Sequence, residues 1–169
     1  MYVAQPDAEP VRLLDTVSGQ VTQGYHLRDP WSHEWRDRVG GTVLDFQLRV
    51  PVGFLWDGNS APSIAACAGI QHDGLNRAAG LLHDAMYRAK GIWPAGWLFE
   101  RLAAAATLGW AEAPGERRLY TRLEADSMYE FLLTLADEDR LKRRLAYRGI
   151  RMCGWVAWKR PAPSFVVVG

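Results

Sequence analysis

The sequence predicts an α+β domain: a small N-terminal antiparallel β-sheet followed by three or four packed α-helices. Three observations carry this reading. Up to about residue 62 the chain alternates apolar and polar side chains between turn formers. From about Ser63 onward apolar residues recur at three- and four-residue steps. Apolar residues make up 49% of the 169 and charged residues 23%, which fits a single domain (1–169) with a buried core and excludes a wholly disordered chain.

The elements follow in order. Val11 to Val21 offers one or two short strands, and Val43 to Val50 alternates cleanly after the Gly40-Gly41 turn. Pro51 ends that strand and Gly53 follows. Val50 to Pro62 is a loop rich in turn formers. Its Asp57, Gly58, Asn59 and Ser60 suit either a tight capped turn, the commoner role, or a cradle for a ligand or ion. Asn76 is the expected N-cap of a helix that runs to about Ala89 and closes at Gly91, with Ala79, Leu82, His83, Met86 and Tyr87 on one face. Trp97 to Leu108 predicts a shorter, alanine-rich helix, and Glu116 to Ala136 a longer one with Asp126 inside its apolar stripe. A last helix from about Asp137 to Trp158 has Leu141, Leu145, Gly149, Met152 and Val156 as its expected buried line. Pro161 and Pro163 stop it, and Phe165 to Val168 suits an edge strand.

Net charge is +1, which names no partner, and nucleic acid is not expected. The distribution is uneven: after Asp139 there is no acidic residue, whereas Arg140, Lys142, Arg143, Arg144, Arg148, Arg151, Lys159 and Arg160 are basic. Such a run is usually a solvated helix face, and otherwise a surface for phosphates or an acidic partner. Two cysteines, Cys67 and Cys153, define neither a metal motif nor a disulfide framework. No secretory leader and no apolar window of about 18 residues is visible, so no membrane span is expected.

The chemistry concentrates on His83, Asp84 and Tyr87, which occupy one turn of an otherwise apolar helix, and on Asp126 in a later one. Buried polar groups must satisfy one another, so these residues form either a site or a lock between two helices. As a site, Asp126 orients the His83 imidazole and the second ring nitrogen takes a proton from water. Asp84 and Asp57, the latter in the Asp57-Gly58-Asn59 loop, are the candidate oxygen ligands of a divalent cation whose identity the residues leave open. A metal phosphohydrolase built on His26 or His33 with His83, Asp84 and Asp126 is a weaker reading, because those upstream histidines fall in the β region. His72-Asp73 reads as loop. Trp31, Trp35, Trp93 and Trp158 suit core packing first and partner anchors second.

Three motifs in order carry a resemblance. Val50-Pro51-x-Gly53-Phe54-x-x-Asp57-Gly58-x-Ser60-x-Pro62 comes first, then Leu82-His83-Asp84-x-x-Tyr87-Arg88, then Glu124-Ala125-Asp126-x-x-Tyr129. With a closing Gly149-x-Arg151-x-x-Gly154-Trp155-x-x-Trp158, they resemble an uncharacterised domain family carried by tailed bacteriophages and prophages, over roughly residues 40 to 160. The resemblance implies a virion component of the tail or baseplate, present in the host cytoplasm during assembly, with other tail or baseplate proteins as partners. The stretch from Ile92 to Leu119 is longer than that family suggests. The His83, Asp84, Tyr87 and Asp126 pattern is also distantly similar to the active site of secreted and parvoviral phospholipases of the A-two type. That similarity implies His83 as base, Asp126 as its orienter, Tyr87 as support and Asp84 as calcium ligand, with a host envelope substrate. The glycine-rich calcium loop and the disulfides of those enzymes have no counterpart here. The competing expectation is a purely structural tail or baseplate protein in which the cluster only locks the helices.

Overall fold

The computed structural model describes residues 4–57, 77–102, 109–136 and 139–169. Along them run β1 (Ala8–Asp15), β2 (Val21–Leu27), β3 (Trp31–Val39), β4 (Thr42–Val50), β5 (Leu55–Trp56), α1 (Arg77–Ala89), β6 (Leu98–Arg101), β7 (Trp110–Glu112), α2 (Arg122–Leu135), α3 (Arg140–Lys159) and β8 (Phe165–Val168). The strands form two antiparallel four-stranded sheets, ordered β5-β2-β1-β8 and β3-β4-β6-β7. The mixed α and β architecture is as expected. The sheet component is larger than a small N-terminal sheet, because β6, β7 and β8 come from the second half of the chain.

Turn chemistry fixes the longest pairing. Val39 faces Thr42 across Gly40 and Gly41, whose φ values of 56° and 86° are what a two-residue hairpin turn between twisted strands requires. In the other sheet, Gly24 of β2 lies so close to Leu13 and to the Trp56 carbonyl that a Cβ there would sit 2.3 Å and 2.5 Å from them. Without a side chain at 24, β5 and the buried Trp56 can close on β2.

Three helix expectations change. The alanine-rich helix over 97–108 is not formed at its start: Leu98–Arg101 is β6, paired with Phe46–Leu48 of β4 and with β7. A vacant edge of β4 and the buried Leu98 outweigh local helix propensity there. The helix expected from Glu116 begins at Arg122. Residues Gly115–Arg117 make a 3-10 turn, and the chain then crosses back so that Trp93 donates to the Arg118 carbonyl and Tyr120 to the Gly91 carbonyl. Thr121 and Glu124 form a reciprocal capping box that sets the true start of α2. Finally, α3 starts after Asp139, whose carboxylate accepts from the Leu141 and Lys142 amides, and it is rotated from the expected face. Of the expected line Leu141, Leu145 and Met152 are exposed and Gly149 is buried, and the other buried residues are Ala146, Ile150 and Gly154. Small residues face inward because they let α3 approach its neighbours closely.

The Asn76 cap, Cys67, His72-Asp73, the Gly58-Asn59-Ser60 part of the loop, residues 103–108 and Asp137 lie outside the described residues. Phe165–Val168 pairs with β1 as an edge strand. The core is organised around α1, buried from Ala78 to Tyr87 and packed against α2, with further contacts to α3 and β5. Trp31 and Trp93 belong to this core, and Trp35 and Trp158 are half-buried against it. Among the described residues no helix is long and apolar enough to cross a membrane.

Candidate functional site

Three helices converge on one carboxylate. Asp126, 0% exposed, stands on the side of α2 that faces α1. Its Oδ1 accepts from Tyr87 at 2.6 Å and lies 3.3 Å from Nε2 of His83. Its Oδ2 accepts from Arg151 of α3 at 2.8 Å, and Arg122, one turn earlier on α2, stands 3.4 Å away. The spacing of four between His83 and Tyr87 stacks them on one side of α1, their ring centroids 4.1 Å apart, so a single oxygen can serve both. Burial pushes the Asp126 carboxyl up, but the hydrogen bonds from His83, Tyr87 and Arg151 outweigh it and hold the group below its ordinary value. Burial, and then the bond to Asp126, push the Tyr87 phenol up, so it remains a donor.

Gly154 makes this convergence possible. A Cβ at that position would lie 2.3 Å from the Tyr87 hydroxyl. Its absence brings the α3 backbone against the phenol and delivers Arg151 to the carboxylate. Lys90 closes the same corner: with φ of 54° it ends α1, and its ammonium donates to the Ala157 carbonyl of α3 at 2.8 Å.

A carboxylate at Nε2 holds the neutral imidazole as the Nε2–H tautomer, leaving the lone pair on Nδ1. No hydrogen bond to a described residue engages Nδ1. The His83 side chain keeps 10% exposure and borders a cavity of about 110 Å³, whose walls include Asp57, Asp84, Tyr87 and Arg88. The expected groups are thus brought together: His83, Tyr87 and Asp126 in direct contact, Asp84 and Asp57 along the same cavity.

The two carboxylates do not by themselves make a calcium site. Calcium takes six to eight oxygen ligands. Among the described residues no group of three or more acidic, histidine or cysteine side chains is placed to hold a metal. The Arg88 guanidinium already supplies positive charge to both: burial lowers its pKa, and Asp84 and Asp57 oppose that. Arg88 is held between the rings of Phe54 and Phe165, 4.8 Å and 4.5 Å from their centroids. Its Nη2 is buried and makes no hydrogen bond to a described residue.

The residues that sequence reasoning missed are Arg88, Arg122, Arg151 and Gly154. Arg122 was detectable, since it precedes Asp126 by one helical turn. Arg151 is hidden inside a basic run in which Arg140, Arg144, Arg148, Lys159 and Arg160 are exposed. The phosphohydrolase constellation is not assembled: His26 bonds to Glu9 at 2.9 Å and His33 sits between Trp31 and Trp35, neither bordering the cavity. No family model matches the chain, and no curated protein or solved structure is significantly similar to it.

Proposed function

We propose that this chain is a bacteriophage virion component, associated with the tail or baseplate, whose three-helix polar centre is a hydrolase site acting on an ester or cell-wall bond of the host envelope. The observation that carries the catalytic part is the imidazole of His83, tied to Asp126 through Nε2 while its side chain borders a cavity. The virion assignment rests on the motif resemblance.

For an ester, the chemistry runs as follows. Nδ1 of His83 takes a proton from water as the water oxygen bonds to the carbonyl carbon, and the C=O π pair moves onto oxygen. Asp126 stabilises the imidazolium and keeps the ring oriented, and Tyr87 holds Asp126. Arg88, whose side chain lines the same cavity, is the cation at hand for the oxyanion. Collapse of the tetrahedral intermediate breaks the bond to the leaving alkoxide, which receives the proton from His83. His83 is the catalytic residue here, and Asp126 and Tyr87 are positioning residues.

A second reading is favoured by a different observation: Asp126 is already engaged by side chains from all three helices, as a structural lock requires. Labelled envelope lipids and peptidoglycan, offered to the purified protein, separate the two. The hydrolase reading expects product release that His83→Ala abolishes while the melting temperature stays within a few degrees. Absence of release from every envelope fraction leaves the lock alone. Mass spectrometry of purified particles, with a fixed copy number expected, tests the virion assignment separately.

A further inference from the structure

The face of α3 that points away from the core carries four large apolar side chains among its charges. Leu141, Leu145, Met152 and Trp155 are 66%, 39%, 69% and 52% exposed. They recur at three- and four-residue steps and their multiples, so they form one stripe opposite the buried Ala146, Ile150 and Gly154. From Leu141 to Trp155 the stripe is about 21 Å long at 1.5 Å per residue. Arg148 and Lys159 fall on the same line, and Arg140, Arg144 and Arg160 are exposed around it. Lys159 lies 5.5 Å from the Trp155 ring, alongside the apolar surface rather than away from it. After Asp139 the chain has no acidic residue to neutralise these charges.

We infer that this face of α3 seats the protein on an anionic lipid surface. Charge complementarity selects an anionic partner. The stripe itself selects a bilayer over a second helix. A helix packing into the stripe would bury Arg148 in its seam, which disfavours such an interface. At the headgroup boundary the same side chain extends to phosphate oxygens while Leu145, Met152 and Trp155 enter the acyl region. The inference stands apart from catalysis at His83, because adsorption requires no bond to break.

Sedimentation of the full chain with vesicles of ether-linked phosphatidylcholine, with and without ether-linked phosphatidylglycerol, tests it, since those lipids offer no acyl ester to cleave. Partitioning is expected to be roughly tenfold stronger on the anionic vesicles at low salt and to fall as salt is raised. Met152→Ser with Trp155→Ser is expected to weaken it roughly tenfold, and Arg144→Glu with Arg148→Glu to abolish the preference for anionic lipid. All four positions are on the surface, so an unchanged melting temperature is the control for folding. Equal partitioning on both vesicles, or no partitioning, would overturn the inference. So would sedimentation equilibrium showing a dimer that Trp155→Ser dissolves, which would assign the face to a second copy of the chain.

Discussion

Two buried histidines in this molecule live in opposite surroundings. His83 is 8% exposed and His33 7%, so burial does not distinguish them. His83 meets a carboxylate that a phenol and two guanidinium groups also hold. His33 stacks between Trp31 and Trp35 at centroid distances of 6.0 Å and 6.3 Å, with Phe131 edge-on, and its Nε2 makes no hydrogen bond to a described residue. One ring is oriented by charge, the other packed as an aromatic. The difference shows that a buried histidine points to chemistry only when a second element brings it a partner.

Substitutions can break this contrast, and the largest effect belongs to Asp126. Asp126→Leu leaves two guanidinium groups, a phenol and an imidazole facing an apolar side chain, and is expected to lower stability by about 3–5 kcal/mol in urea unfolding. Gly154→Ala comes next, because the methyl group meets the Tyr87 hydroxyl at 2.3 Å. It should cost about 1–3 kcal/mol and separate α3 from α1, which loss of protection at Arg151 in amide exchange would report. Tyr87→Phe removes one donor from a carboxylate that retains others, and should cost about 1–2 kcal/mol in the same unfolding assay.

The smallest effect sharpens the contrast through pH. Burial lowers the pKa of His33 below the ordinary 6.5, against the opposing influence of Glu34. The unfolded chain therefore binds a proton before the folded one, so stability is full above about pH 6.5 and declines as pH falls toward the folded value. Thermal unfolding of His33→Phe is expected to show a flatter profile from pH 7 to 5, with less than about 1 kcal/mol change at pH 8. Asp126 acts in a lower window. Its pKa is depressed from 3.8, so its contribution is complete above the unfolded value and fades only as pH drops below that.

The sequence made the site more legible than the fold around it. His83 and Tyr87 share a face by spacing alone, and Asp126 stands out as the acidic residue in an apolar stripe, so their meeting follows from the packing of two amphipathic helices. The hairpin at Gly40-Gly41 is equally local. What local patterns do not encode is competition among distant segments. Leu98–Arg101 is a strand because β4 has an edge to fill, a fact that resides some fifty residues upstream. The orientation of α3 misled for a related reason. Leu141, Leu145 and Met152 form the more hydrophobic line, yet Ala146, Gly149 and Gly154 are the residues thin enough to pass Tyr87 and α2. Fit of shape, not apolar content, chose the buried face.

The most direct test of the central claim is the hydrogen placement on the ring of His83, read from two-bond proton–nitrogen correlations of the imidazole in the intact protein. The expected result is a single tautomer with its hydrogen on Nε2 and its lone pair on Nδ1, and loss of that single tautomer in Asp126→Asn. A hydrogen on Nδ1, or a tautomer indifferent to Asp126→Asn, would contradict it.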